Sequence, residues 1–303
     1  MRRRHFIKNT TASGMALFLP WSPAFLELDN ITKLTILHTN DVHSRIDPFP
    51  QDGGRNSGMG GAAKRATLIE KVRKEEAHVL LLDSGDIFQG TPYFNFFEGE
   101  LEIKLMQKMG YDAATIGNHD FDNGIDGLVR QMKLAEFPMI SSNYEVSDNE
   151  LSSITKKHLV LERGPLKIGI CGAGIELDGL VPDALYKNTI YLDPISSVQK
   201  EASYLKNELG CDLVICLSHL GYRYRHSRIS DVKLSNLTKD IDLILGGHTH
   251  TFMKQPDIRK NLIGEPVIIN QVGWAGIMMG RIDLRFEKNK KGSCASCVNL
   301  FVK

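Results

Sequence analysis

A chain of 303 residues, 42% hydrophobic and 24% charged, can bury one substantial core, which excludes a disordered or fibrous protein. Its 37 Lys+Arg balance 36 Asp+Glu for a formal charge of +1, so it lacks the basic excess of a nucleic-acid binder.

The first residues read as an address. Arg2-Arg3-Arg4-His5-Phe6-Ile7-Lys8 is cationic, residues 11–19 are mostly small or apolar, and Ser22-Pro23-Ala24 offers small residues for cleavage after Ala24. The apolar stretch is too short for a stable membrane span. Arg3-Arg4-His5-Phe6-Ile7-Lys8 resembles the twin-arginine export signal, in which paired arginines precede an apolar residue and lysine. Residues 1–24 are therefore expected to be an export signal, and residues 25–303 one domain in the periplasm or cell envelope. Losing the leader removes Arg2, Arg3, Arg4 and Lys8 and no acid, which leaves a mildly acidic protein.

Apolar runs of strand length follow at residues 34–37, 79–82, 113–116, 167–171, 213–217, 241–245 and 267–269, and a last strand-like segment lies at 280–286. Amphipathic stretches with helical spacing sit between several of them, at 62–76, 98–109, 125–135 and 194–209. Strand and helix alternating in this way predict an α/β fold. Leu80-Leu81-Leu82 and Leu213-Val214-Ile215 are apolar at every position, as strands covered on both faces are. Residues 48–61, rich in Gly and Pro, form the one extended loop and are expected to border whatever site Asp41 and His43 belong to. The residues after 286 read as an ordinary tail. Of five cysteines, Cys171 and Cys216 sit inside apolar runs and read as core. Cys294-Ala-Ser-Cys297 has redox or metal spacing, but no second such pair completes a four-thiolate site, so a local disulfide or a tail without chemistry is expected.

The chemistry is concentrated where apolar runs end. Asp41-Val-His43, Gly85-Asp86, Gly117-Asn118-His119-Asp120, Ser218-His219 and Gly246-Gly247-His248-Thr249-His250 each follow such a run. Asp41 and His43 are two residues apart, as are His248 and His250, and in an extended chain such positions share a face, so each pair could hold one ion. Gly246-Gly247 would let the backbone turn tightly before the second pair. Asp86 could bridge two cations through its two oxygens, and Asn118 could ligate through its amide oxygen. His119 points elsewhere and is free to act as an acid, with Asp122 close enough to orient it and Asp120 as a competing partner. The candidate ligands Asp41, His43, Asp86, Asn118, His219, His248 and His250 are too many for one tetrahedral ion and suit two divalent ions; nitrogen and oxygen donors without sulfur fit Zn, Mn or Fe. Two ions around a bridging carboxylate serve in-line hydrolysis of phosphoesters, with His119 supplying the leaving-group proton.

Several neighbours read more simply. His5, His38, His78, His158 and His226 lack comparable spacing and read as surface or packing residues. Phe252 and Trp274 lie near the last cluster but read as core before substrate contact. Arg223, Arg225 and Arg228 could bind a second phosphate, although a charge run is usually a solvated face. The glycines at 53–54 and 58–61 lack the lysine followed by a hydroxyl residue that ends a phosphate loop.

Thr35-Ile-Leu-His-Thr-Asn-Asp41-Val-His43, Leu82-Asp-Ser-Gly-Asp86-Ile-Phe-Gln-Gly-Thr91, Gly110-Tyr-Asp-Ala-Ala-Thr-Ile-Gly-Asn118-His119-Asp-Phe-Asp122-Asn-Gly124, Ser218-His219-Leu-Gly221 and Gly246-Gly-His248-Thr-His250-Thr resemble the metallophosphoesterase (calcineurin-like) domain of the 5′-nucleotidases, from about Thr32 to Phe286. The resemblance implies two packed β-sheets flanked by helices, a four-layer αββα sandwich. It implies a first metal on Asp41, His43, Asp86 and His250, a second on Asp86, Asn118, His219 and His248, and His119 with Asp122 as the catalytic pair. Asp120 stands where the family often has Glu. Family members usually continue into a domain that grips the nucleobase with aromatic rings and the phosphate with arginines, which this chain is expected to lack. The expected function is 5′-nucleotidase-like hydrolysis of nucleotides, with a separate nucleotide-binding subunit as a possible partner. A cyclic-phosphate diesterase, a thiosulfate-ester hydrolase and a non-catalytic subunit keeping the fold are the alternatives.

Overall fold

Strands covered on both faces and joined by amphipathic helices should stack as sheets between helical layers, and a computed structural model, which describes residues 31–146, 149–287 and 293–303, has that arrangement. The expected export signal lies outside the described residues. From the N-terminal side the elements are β1 (Ile31–Thr39), α1 (Ala62–Glu75), β2 (Val79–Asp83), α2 (Pro92–Phe97), α3 (Glu100–Met109), β3 (Ala113–Thr115), a 3-10 turn (His119–Phe121), α4 (Gly124–Met132), β4 (Met139–Ile140), β5 (Tyr144–Glu145), α5 (Asn149–Ile154) and β6 (Thr155–Lys156). Then come β7 (His158–Arg163), β8 (Leu166–Ala173), α6 (Asp183–Tyr186), β9 (Ile190–Tyr191), α7 (Pro194–Ser203) running into a π turn (Tyr204–Glu208), β10 (Leu213–Ser218), α8 (Asp231–Leu237), β11 (Leu243–Gly246), β12 (Asp257–Lys260), β13 (Pro266–Asn270), β14 (Met278–Glu287) and β15 (Ser293–Phe301).

One sheet has the order β15-β14-β1-β2-β3-β4-β6 and the other β12-β13-β11-β10-β8-β7, while β5 pairs with β9 alone. The strands that end in polar clusters are parallel neighbours: β1 with β2, β2 with β3, and β10 with β11. Side chains alternate between two cores, as the pleat requires. Leu34, Ile36, Leu80, Leu82 and Ala113 of the first sheet meet Ile168, Ile170, Leu213, Ile215, Leu217, Leu243 and Leu245 of the second in one buried cluster between the sheets. The intervening Leu37, Leu81 and Ala114 face α1, α3 and α4 through Ile69, Ile103 and Leu128. Cys171, Val214, Cys216 and Ile244 face Val198 and Ala202 of α7 and Leu234 of α8. Truncating an inter-sheet residue such as Ile215, with no exposed surface, to Ala would cost about 2–5 kcal/mol.

Three expectations differ from the structure. The helix expected over 98–109 starts at Glu100, because Glu98 (φ 51°) and Gly99 (φ 96°) are left-handed and part it from α2, with a Cβ at Gly99 placed 2.5 Å from a ring carbon of Phe88. The helix expected over 194–209 ends as the π turn after Ser203. The supposed tail is β15, an edge strand antiparallel to β14, whose Cys297 packs against the inter-sheet core and is disulfide-bonded. The side chain of Cys294, its expected partner, lies outside the described residues, whereas Cys171, Cys211 and Cys216 are free and buried.

Candidate metal centre

Parallel strands of both sheets end on one edge, and the polar clusters sit in the turns that leave those ends, the usual place for a site in an α/β sheet. The backbone there is not extended. Asp41 (φ 50°), His43 (φ 51°), Asp86 (φ 55°), His248 (φ 69°) and His250 (φ 49°) all occupy the left-handed region that non-glycine residues rarely adopt. Each such residue costs on the order of 1–3 kcal/mol, which the surrounding structure must offset to aim the side chains into one space. Asn40 is part of that surrounding: its amide donates to Asp41 Oδ2 at 2.5 Å and to Gly273 O at 2.7 Å, and its oxygen accepts Val272 N at 2.9 Å. Asp41 also accepts the amide of His248 on both oxygens at 3.0 Å, which joins the end of the first sheet to the second.

Two groups of donors result, Asp41 with His43 and His250, and Asp86 with His219 and His248; within each, the ligand atoms lie within 4.8 Å of one another. The spacing argument for His248 and His250 is therefore corrected: they serve different groups, whereas Asp41 and His43, equally left-handed, share one. In the first group His43 Nε2 lies 3.0 Å from His250 Nε2, and His250 Nε2 lies 3.3 Å from Asp41 Oδ1. In the second, His219 Nε2 is 3.0 Å from Asp86 Oδ2, and His248 Nδ1 is 2.9 Å from Asn118 Oδ1. Asp86 lies between the groups, with Oδ2 also 3.8 Å from His43 Nε2, and its Oδ1 accepts the amide of His119 at 2.8 Å.

The donor set fits divalent cations. His43 Nδ1 donates to Phe88 O at 3.3 Å and His219 Nδ1 to Ser84 O at 2.6 Å, which turns each Nε2 lone pair inward, the outer-sphere arrangement of metal-binding histidines. His219 Nε2 is fully buried and has the Asp86 carboxylate as its close polar neighbour. Burial opposes protonation of His219, yet the Asp86 carboxylate overrides it and lifts the pKa to about 10. Burial pushes His248 down to about 4, with His219 adding to the effect, and burial likewise lowers His43, so both are neutral donors. Burial would raise Asp86, but His219 and His43 hold it below the usual carboxylate range.

His119 stands beside these groups, its ring centroid 5.3 Å from that of His43. Its Nδ1 donates to Asp122 Oδ2 at 2.8 Å, a bond that raises its pKa. Asp120 is not the partner. Its carboxylate accepts four backbone amides, Asp86 at 3.0 Å, Ile87 at 2.9 Å, Phe88 at 3.3 Å and Gly117 at 2.7 Å, and so ties the turn after β2 to the turn after β3. Burial, and then the Asp86 charge, raise its pKa to about 7. Only the structure reveals this, since the bonds cross from residue 120 to residues 86–88.

The glycines of the clusters serve close approach. A Cβ at Gly117 would lie 2.2 Å from Asp86 Oδ1, and one at Gly247 would lie 2.8 Å from His219 Nδ1. Gly247 does not take a positive φ, so the tight-turn reason expected for it gives way to this steric one. Trp274, read from the sequence as core before site, packs against the Val272–Ile277 cluster and also reaches the donor groups. It is half-buried and stacks on His250 with ring centroids 5.8 Å apart and planes at 10°. Residues 48–61 border the site as expected, through Phe49 and Met59, which pack with Trp274.

Comparisons with known proteins agree with this geometry. The family profile described as calcineurin-like phosphoesterase matches residues 34–252. The snake venom 5′-nucleotidase of Gloydius brevicauda is 39% identical over 229 residues, 73% of this chain and 37% of that protein. The 5′-nucleotidase of Diplobatis ommata is 36% identical over 281 residues, 85% of this chain and 47% of that protein. Among solved structures, the 5′-nucleotidase precursor from Thermus thermophilus superposes with a TM-score of 0.80 at 29% identity, over 89% of this chain and 54% of that one. The chain spans about half the length of these relatives, or less.

Proposed function

The chain belongs to the calcineurin-like phosphoesterase family, and from that premise we propose that it hydrolyses phosphoric monoesters, with nucleoside monophosphates as its substrate class. The observation that carries the reading is the His119–Asp122 pair, 2.8 Å apart, beside two groups of convergent metal-type donors. Asp41, His43 and His250 would hold one ion and Asn118, His219 and His248 the other, with Asp86 shared; the nitrogen and oxygen donors suit Zn, Mn or Fe. Such ions, when bound, withdraw charge from the phosphoryl oxygens and lower the pKa of the attacking water. His119, its pKa raised by Asp122, carries a proton to the leaving oxygen, while the Nδ1 bond to Asp122 fixes the ring so that Nε2 faces the ester. Asp120 holds the Asp86 turn in register with Asn118 by its four amide bonds.

The test is hydrolysis by the metal-loaded protein, read as phosphate release from nucleoside monophosphates and an aryl phosphate, as the ring-opened monoester from cyclic nucleotides, and as sulfate release from a thiosulfate ester. Higher kcat/KM on the monophosphates supports the reading. Turnover confined to cyclic nucleotides or to the thiosulfate ester refutes it. A polypeptide resembling the base-gripping domain of the family, docked beside residues 41–61 and 248–252, would lower KM for nucleotides far more than for the aryl phosphate. Equal effects of candidate partners on the two would reject that docking. Residues 1–24 act as a twin-arginine leader that delivers the chain to the periplasm, while among the described residues no helix is long and apolar enough to cross a membrane. Undiminished export after Arg3→Lys with Arg4→Lys would refute the twin-arginine route.

A further inference from the structure

Gln271 has no exposed surface and stands one residue past β13, beside the point where the parallel strand β11 ends. Its bonds fall on every second residue of the segment that leaves β11. The side-chain Nε2 donates to Gly247 O at 2.5 Å, and Oε1 accepts the Thr249 hydroxyl at 3.0 Å and the Thr251 amide at 2.5 Å. The backbone amide of Gln271 donates to Met253 Sδ at 3.1 Å, and its carbonyl accepts the Met253 amide at 3.4 Å. The residues between the first three of these contacts are His248 and His250.

A side-chain amide suits this place, because it offers an acceptor oxygen with two lone pairs and a donor in one plane. Gly246 makes the room, since a Cβ there would lie 3.3 Å from Gln271 Nε2 and 2.2 Å from Asp231 Oδ2. The left-handed backbone of His248 (φ 69°) and His250 (φ 49°) persists only where the surroundings hold it, and the bonds to Gln271 are such a hold.

The two histidines depend on it unequally. His248 has two further anchors, its amide on Asp41 and its Nδ1 2.9 Å from Asn118 Oδ1. His250 has ring contacts alone: His43 Nε2 at 3.0 Å, Asp41 Oδ1 at 3.3 Å and the stack on Trp274. The hydroxyl and the amide that bond Gln271 Oε1 belong to the residues on either side of it.

We propose that Gln271 is a positioning residue of the centre, which holds His250 to the group of Asp41 and His43. The affinity of that group for its ion, more than that of the group of Asp86, His219 and His248, is then set by a residue outside both. The inference rests on the two-ion reading above.

The experiment is dialysis of the protein against graded free Zn²⁺, with ions per chain read by mass spectrometry and folding by circular dichroism. Gln271→Met keeps the length of the side chain and loses its amide. It should release one of its two ions at free Zn²⁺ on the order of 10–100-fold higher than the parent does, as loss of an outer hydrogen-bond partner requires. The other ion should leave where the parent releases it. In a His248→Ala background Gln271→Met should loosen the ion that remains, and in a His250→Ala background it should not. Gln271→Glu, which keeps the acceptor for Thr249 and Thr251 and loses the donor for Gly247, should fall between parent and Gln271→Met, and it carries the same test should Gln271→Met not fold. Loosening of both ions by one factor, of neither, or of the remaining ion equally in the two histidine backgrounds refutes the positioning role while the two-ion centre stands. Fewer than two ions on the unaltered protein at saturating Zn²⁺ refutes the two-ion reading, and the inference falls with it.

Discussion

Asp120→Asn isolates the part of the centre that binds nothing itself. The residue has no exposed surface, and each of its oxygens accepts two amides: Oδ2 those of Asp86 and Gly117, Oδ1 those of Ile87 and Phe88. Asparagine has the same shape but one acceptor oxygen, so its amino group must face two N–H donors whichever way it is turned. A buried donor left without an acceptor costs about 1–3 kcal/mol, and two cost roughly 2–6 kcal/mol. A domain this large loses about 2–4 °C of melting temperature per kcal/mol, so the variant should melt at least about 4 °C lower. The damage should also reach the metals, because Asp86 and Asn118 are held by the turns that Asp120 ties together. Thermal melting by circular dichroism and metal content by mass spectrometry are the assays. A variant melting within about 1 °C of the parent, with full metal content, would show that the four bonds do not organise the site.

Asp86→Asn should lose metal and activity together, whereas His119→Ala should retain metal and slow turnover by about a hundredfold or more; equal metal loss in both variants would remove His119 from its role as the acid. The Asp122 hydrogen bond raises the pKa of His119, so the protonated acid persists to higher pH than in an ordinary imidazole and is lost as pH rises through that raised value. Asp122→Asn should therefore move the basic limb of the kcat profile to lower pH, and an unmoved limb would disconnect Asp122 from the acid. In a variant lacking residues 1–24, and with them Trp21, Trp274 is the sole tryptophan, and its stack on His250 makes it a reporter. His250 Nδ1 has no hydrogen-bond acceptor among the described residues, so the stack orients the ring, and metal addition should change tryptophan emission. Trp274→Phe should bind metal more tightly than Trp274→Ala; equal affinities would leave the stack without a positioning role.

Much of this protein is legible along the chain, because periodicity and residue type are local properties. Uniformly apolar strands announced the doubly covered sheets, and Asp, Asn and His recurring at strand ends announced donors for metals, since each strand delivers its cluster to the same edge. The motif His-Asp-Phe-Asp at residues 119–122 placed an acid and two carboxylates within reach of each other but left open which one the imidazole would choose. What only tertiary structure decided depends on contacts between distant residues. Asp122 is the partner because Asp120 is consumed by amides of residues 86–88 and 117. His250 joins Asp41 and His43 while His248 joins Asp86 and His219, a division reached where the His248 amide and the His250 ring both come back to Asp41 from across the second sheet. Residues 293–301 became an edge strand through pairing with β14. A sequence pattern records what a residue can do, and the choice among its possible partners is made by the chain segments that folding brings beside it.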